Sequence, residues 1–333
     1  MGGNIRWDPA VSAGEDWMNP PIEYLSAKQV VDTDALNEGV FQTVATSLRQ
    51  RQEASSEALH VVEIGGGIGT MVVRLCNRGV FRGDVEYRLI DRDPECISAA
   101  RVWLPAQLRS DGFAVTETDT DIYVHEIDAP AAASPFRLTV ELQTADAFST
   151  PIAAWDCDCV IGAALFDIVS LDRAIPWLQS VIGPDGILYA PVTYNGKTRF
   201  EPEDPLDVAI EREYHRHMDE VRAIPGGSAA GKKLKHRLKQ SNILAVEASG
   251  DANWEIDTST GSAQRFVVGT ILDTIESALA ELPNAQLDTA DLECWFSRRR
   301  RELRQRELHL HAHHLDIVAG RGSRSRGESW QRL

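Results

Sequence analysis

The residues with the clearest chemical potential lie in "VVEIGGGIGT", 61–70, where Glu63 precedes Gly65, Gly66, Gly67 and Gly69. Four glycines in five positions describe a backbone that bends where side chains would obstruct it. An apolar run comes before them and a run with helical spacing after, and a strand–turn–helix unit brings a ligand against main-chain groups and a helix N-terminus. Two spacings compete. In G-x-G-x-x-G, the dinucleotide pattern, Gly65 and Gly67 fit but Thr70 takes the third glycine's place. The pattern acid-x-G-x-G-x-G is met in full by Glu63, Gly65, Gly67 and Gly69. A carboxylate at its head suits a cationic ligand and repels a diphosphate. Asp91 ends the next apolar run, 22 residues after Gly69, where a carboxylate can accept both hydroxyls of a ribose.

Other side chains invite chemistry with less support. In "EREYHRHMDE", helical spacing puts Glu211, His215 and Asp219 on one face, so a carboxylate could orient an imidazole suited to proton transfer. "HLHAHHLD", 309–316, read as a helix, sets His309, His313 and Asp316 at i, i+4, i+7, a possible divalent-metal face. One helix rarely supplies every ligand and Arg306 crowds that face, so no metal is assigned. His314 falls with Leu303, Leu310 and Ile317 on the apolar face, as a packed histidine. Trp254 either walls an apolar ligand or, as is commoner in a strand, packs in the core. The five cysteines show no paired zinc spacing, and Cys157 and Cys159, two apart in a strand, read as reduced core thiols on one face.

These residues need a scaffold, and the spacing supplies one. From residue 58 the runs "HVVEIG", "VEYRLID", "LTVELQTAD", "CDCVIGAAL" and "GILYAPVTY" alternate with helical stretches such as "TMVVRLCNRGV", which predicts an α/β fold with a doubly wound, mostly parallel sheet. "GPDG", 183–186, reads as the turn before the fifth strand. Residues 1–57 form an N-terminal helical cover whose helix runs from about 25 to 51. Residues 58–196 are the ligand-binding core, 197–240 a helical insertion, and 241–320 the final strands and C-terminal helices. "NILAVEAS" and "NWEID" suggest an antiparallel pair, residues 264–282 and 288–319 two long helices, and residues 321–333 a flexible basic tail.

Composition sets limits. The 333 residues are 43% hydrophobic and 25% charged, enough for one large α/β domain with elaborations. No apolar run reaches the length of a membrane span and the N-terminus has no signal-peptide pattern, so a cytoplasmic location is expected. The net charge of −16 opposes nucleic acid and anionic membranes. Basic charge concentrates in "KKLKHRLK", 232–239, with Leu234 and Leu238 at amphipathic spacing, and in the arginine-rich stretch after Arg298.

The motif from Glu63 to Gly69, with Asp91 and with Asp146 in "LQTADAF", resembles the class I S-adenosylmethionine-dependent methyltransferases over roughly residues 58–195. The resemblance implies S-adenosylmethionine as cofactor and S-adenosylhomocysteine as product. It implies that Glu63 organises the glycine loop, Asp91 holds the ribose, and Asp146 at the end of the third strand accepts the adenine amino group beside the amide of Ala147. The cofactor set is then Glu63, Gly65, Gly66, Gly67, Gly69, Asp91, Arg92, Asp146, Ala147 and Gly162. The acceptor would meet the methyl group above strands four and five, near Gly162 to Asp167 and Tyr194, and Tyr194 and His215 are the candidate catalytic residues. A small-molecule acceptor and possible homodimerisation complete the expectation. Aminopropyl transferases of the spermidine synthase type resemble the same motif, but Ile68 stands where they carry an aspartate, and "GAALFD" offers only Asp167. A cofactor-binding scaffold without catalysis is the third reading.

Overall fold

A computed structural model describes residues 22–126, 136–149, 157–222, 226–283 and 286–321. Its centre is a ten-stranded sheet in the order β3-β4-β5-β2-β1-β6-β7-β10-β8, with β9 also on β10. The parallel core consists of β1 (Leu59–Ile64), β2 (Gly83–Asp91), β5 (Phe136–Thr144), β6 (Cys157–Ile161) and β7 (Ile182–Glu201). These are the strands expected from the apolar runs, because a strand covered on both faces must be apolar on both. Val61 and Val62 illustrate it: each is fully buried, in a different one of the two cores that sandwich the sheet. Among the described residues no helix is long and apolar enough to cross a membrane.

Several expectations need correction. The single N-terminal helix is two, α1 (Ile22–Ala35) and α2 (Glu38–Ala54). Asn37 separates them: its side chain accepts from the Val40 amide at 3.1 Å as an N-cap, and its own amide donates to Asp316 at 2.9 Å. An unexpected hairpin, β3 (Phe113–Glu117) and β4 (Asp121–Glu126), extends the edge beside β5. Asp146 therefore comes after the fifth strand of the chain, not the third. "GPDG" is an irregularity inside β7, with Asp185 at φ 60° and Gly186 held close to the Cys157 carbonyl. Across this irregularity the register jumps from Cys157↔Ile182 to Cys159↔Ile187. Cys157 and Cys159 thus enter opposite cores rather than one, both as buried free thiols.

The largest correction concerns the C-terminus. The chain forms α8 (Ser262–Glu281) and α9 (Thr289–Gln305), then leaves the helix at Arg306, a left-handed residue with φ 64°. Past this point it runs as a strand, β10 (His309–Arg321), antiparallel to β7. The strands β8 (Leu244–Asp251) and β9 (Trp254–Asp257) each pair with β10 rather than with one another. Along β10 the exposure alternates: His309, His311 and His313 face outward between buried Leu310, Ala312 and His314. His309, His313 and Asp316 therefore form no helical metal face. His313 pairs with Asp251 at 3.1 Å, while Asp316 is fully buried and accepts the amides of Asn37 and Val192. Among the described residues no group of three or more His, Cys, Asp or Glu is placed to hold a metal ion. Of the expected tail, 321–333, Arg321 ends β10, and residues 322–333, like residues 1–21 of the expected cover, lie outside the described residues.

The insertion comprises α6 (Asp207–Arg216), a π-helical turn (His217–Val221) and α7 (Ala230–Lys239), which buries Leu234 and Leu238 fully, as the four-residue spacing of its basic stretch predicts. The arginines of α9 anchor it. Arg299, with no exposed surface, donates from Nη2 to both oxygens of Asp207 at 2.6 and 2.8 Å and from Nη1 to Glu302 at 2.8 Å. Arg298 pairs with Asp204, and Arg300 with Asp273 and Glu276. Within this basic run Arg299 serves the fold's interior, while Arg298 and Arg300 pair nearer the surface.

Candidate active site

A cavity of about 580 Å³ opens above the C-terminal ends of the parallel strands, the place where open α/β sheets bind ligands. Its volume suits a nucleoside with room for a second small molecule. Gly65, Gly66 and Gly67 line one wall with Glu63, Asp91, Arg92, Asp146 and Ala147. Leu25, Lys28 and Asp32 of α1, Asp167, Tyr194, Tyr214 and Arg222, and Trp254 with His314 also line it.

The glycine turn is dictated by conformation and packing together. Gly65 and Gly67 have φ of 65° and 55°, which L side chains rarely adopt. A Cβ at Gly66 would lie 2.5 Å from Leu89. The turn's amides are largely spent within the protein. Gly66 donates to the Ile90 carbonyl at 3.2 Å, Gly67 to Asp91 Oδ2 at 2.8 Å, and Gly69 to the Gly66 carbonyl at 2.9 Å. A diphosphate needs such amides free. Asp91 also takes the Asp93 amide on Oδ1 at 2.9 Å, so both its oxygens are fixed in direction, each with a lone pair left. Burial raises its pKa, against the pull of the Asp93 and Gly67 amides.

Glu63 is 2% exposed and accepts a hydrogen bond from Tyr87 Oη at 2.6 Å. Burial pushes its carboxyl up from 4.5 to about 7, opposed by the Tyr87 bond and the Arg74 charge. Because the folded state holds this proton more tightly than the unfolded chain, the site's contribution to stability is greatest at or below pH 4.5. It is lost as pH rises through about 7, by at most about 3 kcal/mol. Urea unfolding is expected to show wild-type stability falling from about pH 5.5 to about pH 8, and Glu63→Gln to flatten that slope. Equal slopes in the two proteins would contradict this account of Glu63.

Asp146 and Ala147 stand in the wall as expected, but the Asp146 carboxylate is already engaged. It accepts from the Phe148 amide at 3.0 Å and Ser149 Oγ at 2.8 Å, and pairs with Arg173 at 3.2 Å. Burial raises its pKa, yet the bonds from Ser149, Arg173 and Phe148 prevail and the net displacement is downward. Arg92 is an exposed residue at the rim. Gly69 and Gly162 do not reach the cavity surface. Gly69, at φ 88°, is the N-cap of α3 (Thr70–Asn77), and a Cβ at Gly162 would sit 2.7 Å from the Phe166 ring. Both act through packing.

Tyr194 lines the cavity, nearly buried, with its hydroxyl 2.7 Å from His215 Nε2 and 2.9 Å from Thr198 Oγ1. His215 is behind it and not in the cavity wall, so a direct role on a bound molecule does not fit. The carboxylates meant to orient it have other partners: Glu211 accepts the Thr198 amide and Asp219 accepts from Ser228. Burial lowers the His215 pKa against the attraction of Glu211 and Asp219, leaving a neutral imidazole on the Tyr194 hydroxyl. The bend that aims Tyr194 starts at Val192, left-handed at φ 53°, whose amide is held at 2.8 Å by Asp316. A β-branched residue seldom keeps that conformation unaided.

The part of the cavity lined by α1 and Trp254 contains residues that sequence spacing does not place. Lys28 and Asp32 pair at 2.5 Å across one turn of α1, and Asp32 also accepts from the Trp254 indole at 3.1 Å. Arg74 joins this set, binding Thr33 Oγ1 at 2.9 Å and the Gln29 carbonyl at 3.1 Å and so docking α1 over the glycine turn. Trp254 is both wall and core, its ring 4.7 Å from that of His314. The i, i+4 spacing of Lys28 and Asp32 is the one local signal of this set.

No protein-family model and no curated protein sequence matches this chain. Among solved structures it is similar to a SAM-dependent methyltransferase from Thiobacillus denitrificans in complex with S-adenosyl-L-homocysteine, with 14% identity and a TM-score of 0.43 over 91% of this chain and 99% of that one. It is also similar to geranyl diphosphate C-methyltransferase from Streptomyces coelicolor A3(2), at 11% identity and a TM-score of 0.38 over 84% of this chain and 81% of that one. The seven consecutive strands β5-β2-β1-β6-β7-β10-β8, in which only β10 is reversed, give this chain the class I methyltransferase fold.

Proposed function

We propose that the protein binds S-adenosylmethionine and transfers its methyl group to a small-molecule acceptor. The observation that carries this reading is the coupling of Asp91 to the glycine turn: one carboxylate both fixes the Gly67 amide and faces the cavity. That arrangement suits a ribose diol and leaves little for a diphosphate, which counts against a nicotinamide dinucleotide. The wall fits the cofactor's chemistry in other respects. Asp91 gives carboxylate character beside the turn, and the half-enclosed space by Ala147 accepts a flat base. When bound, the cofactor supplies a methyl carbon activated by sulfonium.

The chain's own residues would do the rest. Asp91 holds the ribose, Ala147 borders the adenine, and Glu63 braces the turn through Tyr87. Tyr194, stiffened by Thr198 and His215, borders the space where the acceptor is aligned, and α1 with the insertion keeps water out. Incubation with cofactor tritiated on the methyl group, in an extract separated by size, tests the reading. Label is expected in a low-molecular-weight species chromatographically distinct from the cofactor, and absent when the protein is left out. Label confined to protein or nucleic acid would overturn the small-molecule acceptor, and no transfer despite cofactor binding would favour a scaffold.

A further inference from the structure

Asp167 lies in the loop after β6, on the wall of the cavity's acceptor end. Its Oδ1 atom is buried and has no hydrogen-bond partner among the described residues. A buried carboxylate oxygen without a partner costs about 1–3 kcal/mol or more, so its persistence in a residue that lines the cavity needs a reason. The contrast with Asp32 is direct. Both acids face the same space, but Asp32 is met by Lys28, Arg74 and the Trp254 indole.

The groups around Asp167 define what could pair with it. The hydroxyls of Tyr24, Tyr194 and Tyr214 lie near enough for its charge to raise their pKa values, although burial is the main cause in each case. Burial lifts the Asp167 carboxyl to about 6, and its own backbone amide, then the charges of Lys28 and Arg222, offset this only in part. Lys28 is committed to Asp32 and lies 5.2 Å over the Trp254 ring. His314, fully enclosed, is held neutral by burial, its pKa lowered to about 3. The walls are therefore aromatic, and the open valence is a hydrogen-bond acceptor.

We infer that Asp167 anchors the acceptor molecule, which carries an N–H or O–H donor on an aromatic or apolar frame. The inference rests on the methyltransferase reading for the word acceptor, but the anchoring itself can be tested without turnover. A cationic amine and a neutral hydroxyl offer the same donor chemistry to Oδ1, and Tyr24, Tyr194, Tyr214 and Trp254 supply faces for a ring. A carboxylate in that position would meet Asp167 with like charge.

Ligand-observed NMR titration of the full chain, with and without saturating S-adenosylhomocysteine, tests this with three probes of similar size: phenethylamine, 2-phenylethanol and 3-phenylpropionate. At least one of the first two is expected to bind tenfold or more tightly than 3-phenylpropionate, and the stronger of the two identifies the donor as amine or hydroxyl. Asp167→Leu should abolish that preference, and Asp167→Asn should reduce it for the amine more than for the alcohol. Both variants should leave S-adenosylhomocysteine affinity within about twofold, which also reports that they fold. Equal or tighter binding of 3-phenylpropionate, a preference unchanged in Asp167→Leu, or S-adenosylhomocysteine binding without any probe binding would overturn the inference. Probe discrimination without S-adenosylhomocysteine binding would instead overturn the methyltransferase reading and leave the Asp167 anchor in place.

Discussion

Asp91→Ala is expected to weaken S-adenosylhomocysteine binding by 100-fold or more, with little change in the unfolding midpoint. Two hydroxyl groups donating to an ionised carboxylate contribute about 1.5–3 kcal/mol each, and each 1.4 kcal/mol is a factor of ten in affinity. The substitution also releases the Gly67 and Asp93 amides that now point at Asp91 from 2.8 and 2.9 Å. The turn then loses the brace that keeps its shape at the cavity wall. Stability should suffer less than affinity, because removing a buried carboxylate also removes the burial penalty that raises its pKa. Asp91→Asn keeps one acceptor but presents an N–H where a backbone amide already donates, so it should lose at least tenfold. Calorimetry on both variants decides it. An affinity within threefold of wild type for Asp91→Ala would mean that the ligand does not use this carboxylate.

The second large effect is on stability. Arg299→Ala is expected to cost about 3–5 kcal/mol, because it leaves buried carboxylates behind instead of removing a whole ion pair. Asp207 would lose both bonds from the guanidinium and keep the Trp295 indole and the Asp204 amide, each at 2.8 Å, and Glu302 would lose its 2.8 Å partner. The guanidinium also lies 5.2 Å from the Trp295 ring centre and 5.5 Å from that of Phe200. Arg299→Lys keeps the charge without the planar fork and should fall between the two. Urea unfolding measures both. Asp207 begins α6, so the loss should extend to the wall that Tyr214 provides. A cost under about 1 kcal/mol for Arg299→Ala would show that the cluster is no clamp.

The two sides of the cavity differ in how legible they are in the amino-acid sequence. The cofactor side is built from short local segments: β1 with its glycines, and the acids that end β2 and β5. Each is marked by an apolar run closed by a chemically distinctive residue, and spacing along the chain is enough to place them. The other side is assembled from α1, the loop after β6, the insertion and β9, which are brought together only by long-range packing. Tyr24 carries no local mark of that meeting, Lys28 only its i, i+4 spacing to Asp32, and Asp167 only its place after an apolar run. Local patterns mislead elsewhere for identifiable reasons. β10 passes for a helix because α9 ends without glycine or proline, on a left-handed arginine, although "HLHAHH" alternates with the period of a strand. The β3–β4 hairpin escapes notice because an edge hairpin is only partly buried and shows no continuous apolar run.

Calorimetric titration of the wild-type protein with S-adenosylmethionine, S-adenosylhomocysteine, decarboxylated S-adenosylmethionine and NAD tests the central claim most directly. Binding of the first two is predicted at micromolar concentrations, with weaker binding of the decarboxylated form and none of NAD. Tighter binding of the decarboxylated form would point to aminopropyl transfer, and binding of NAD alone, or of none of the four by the folded protein, would contradict the claim.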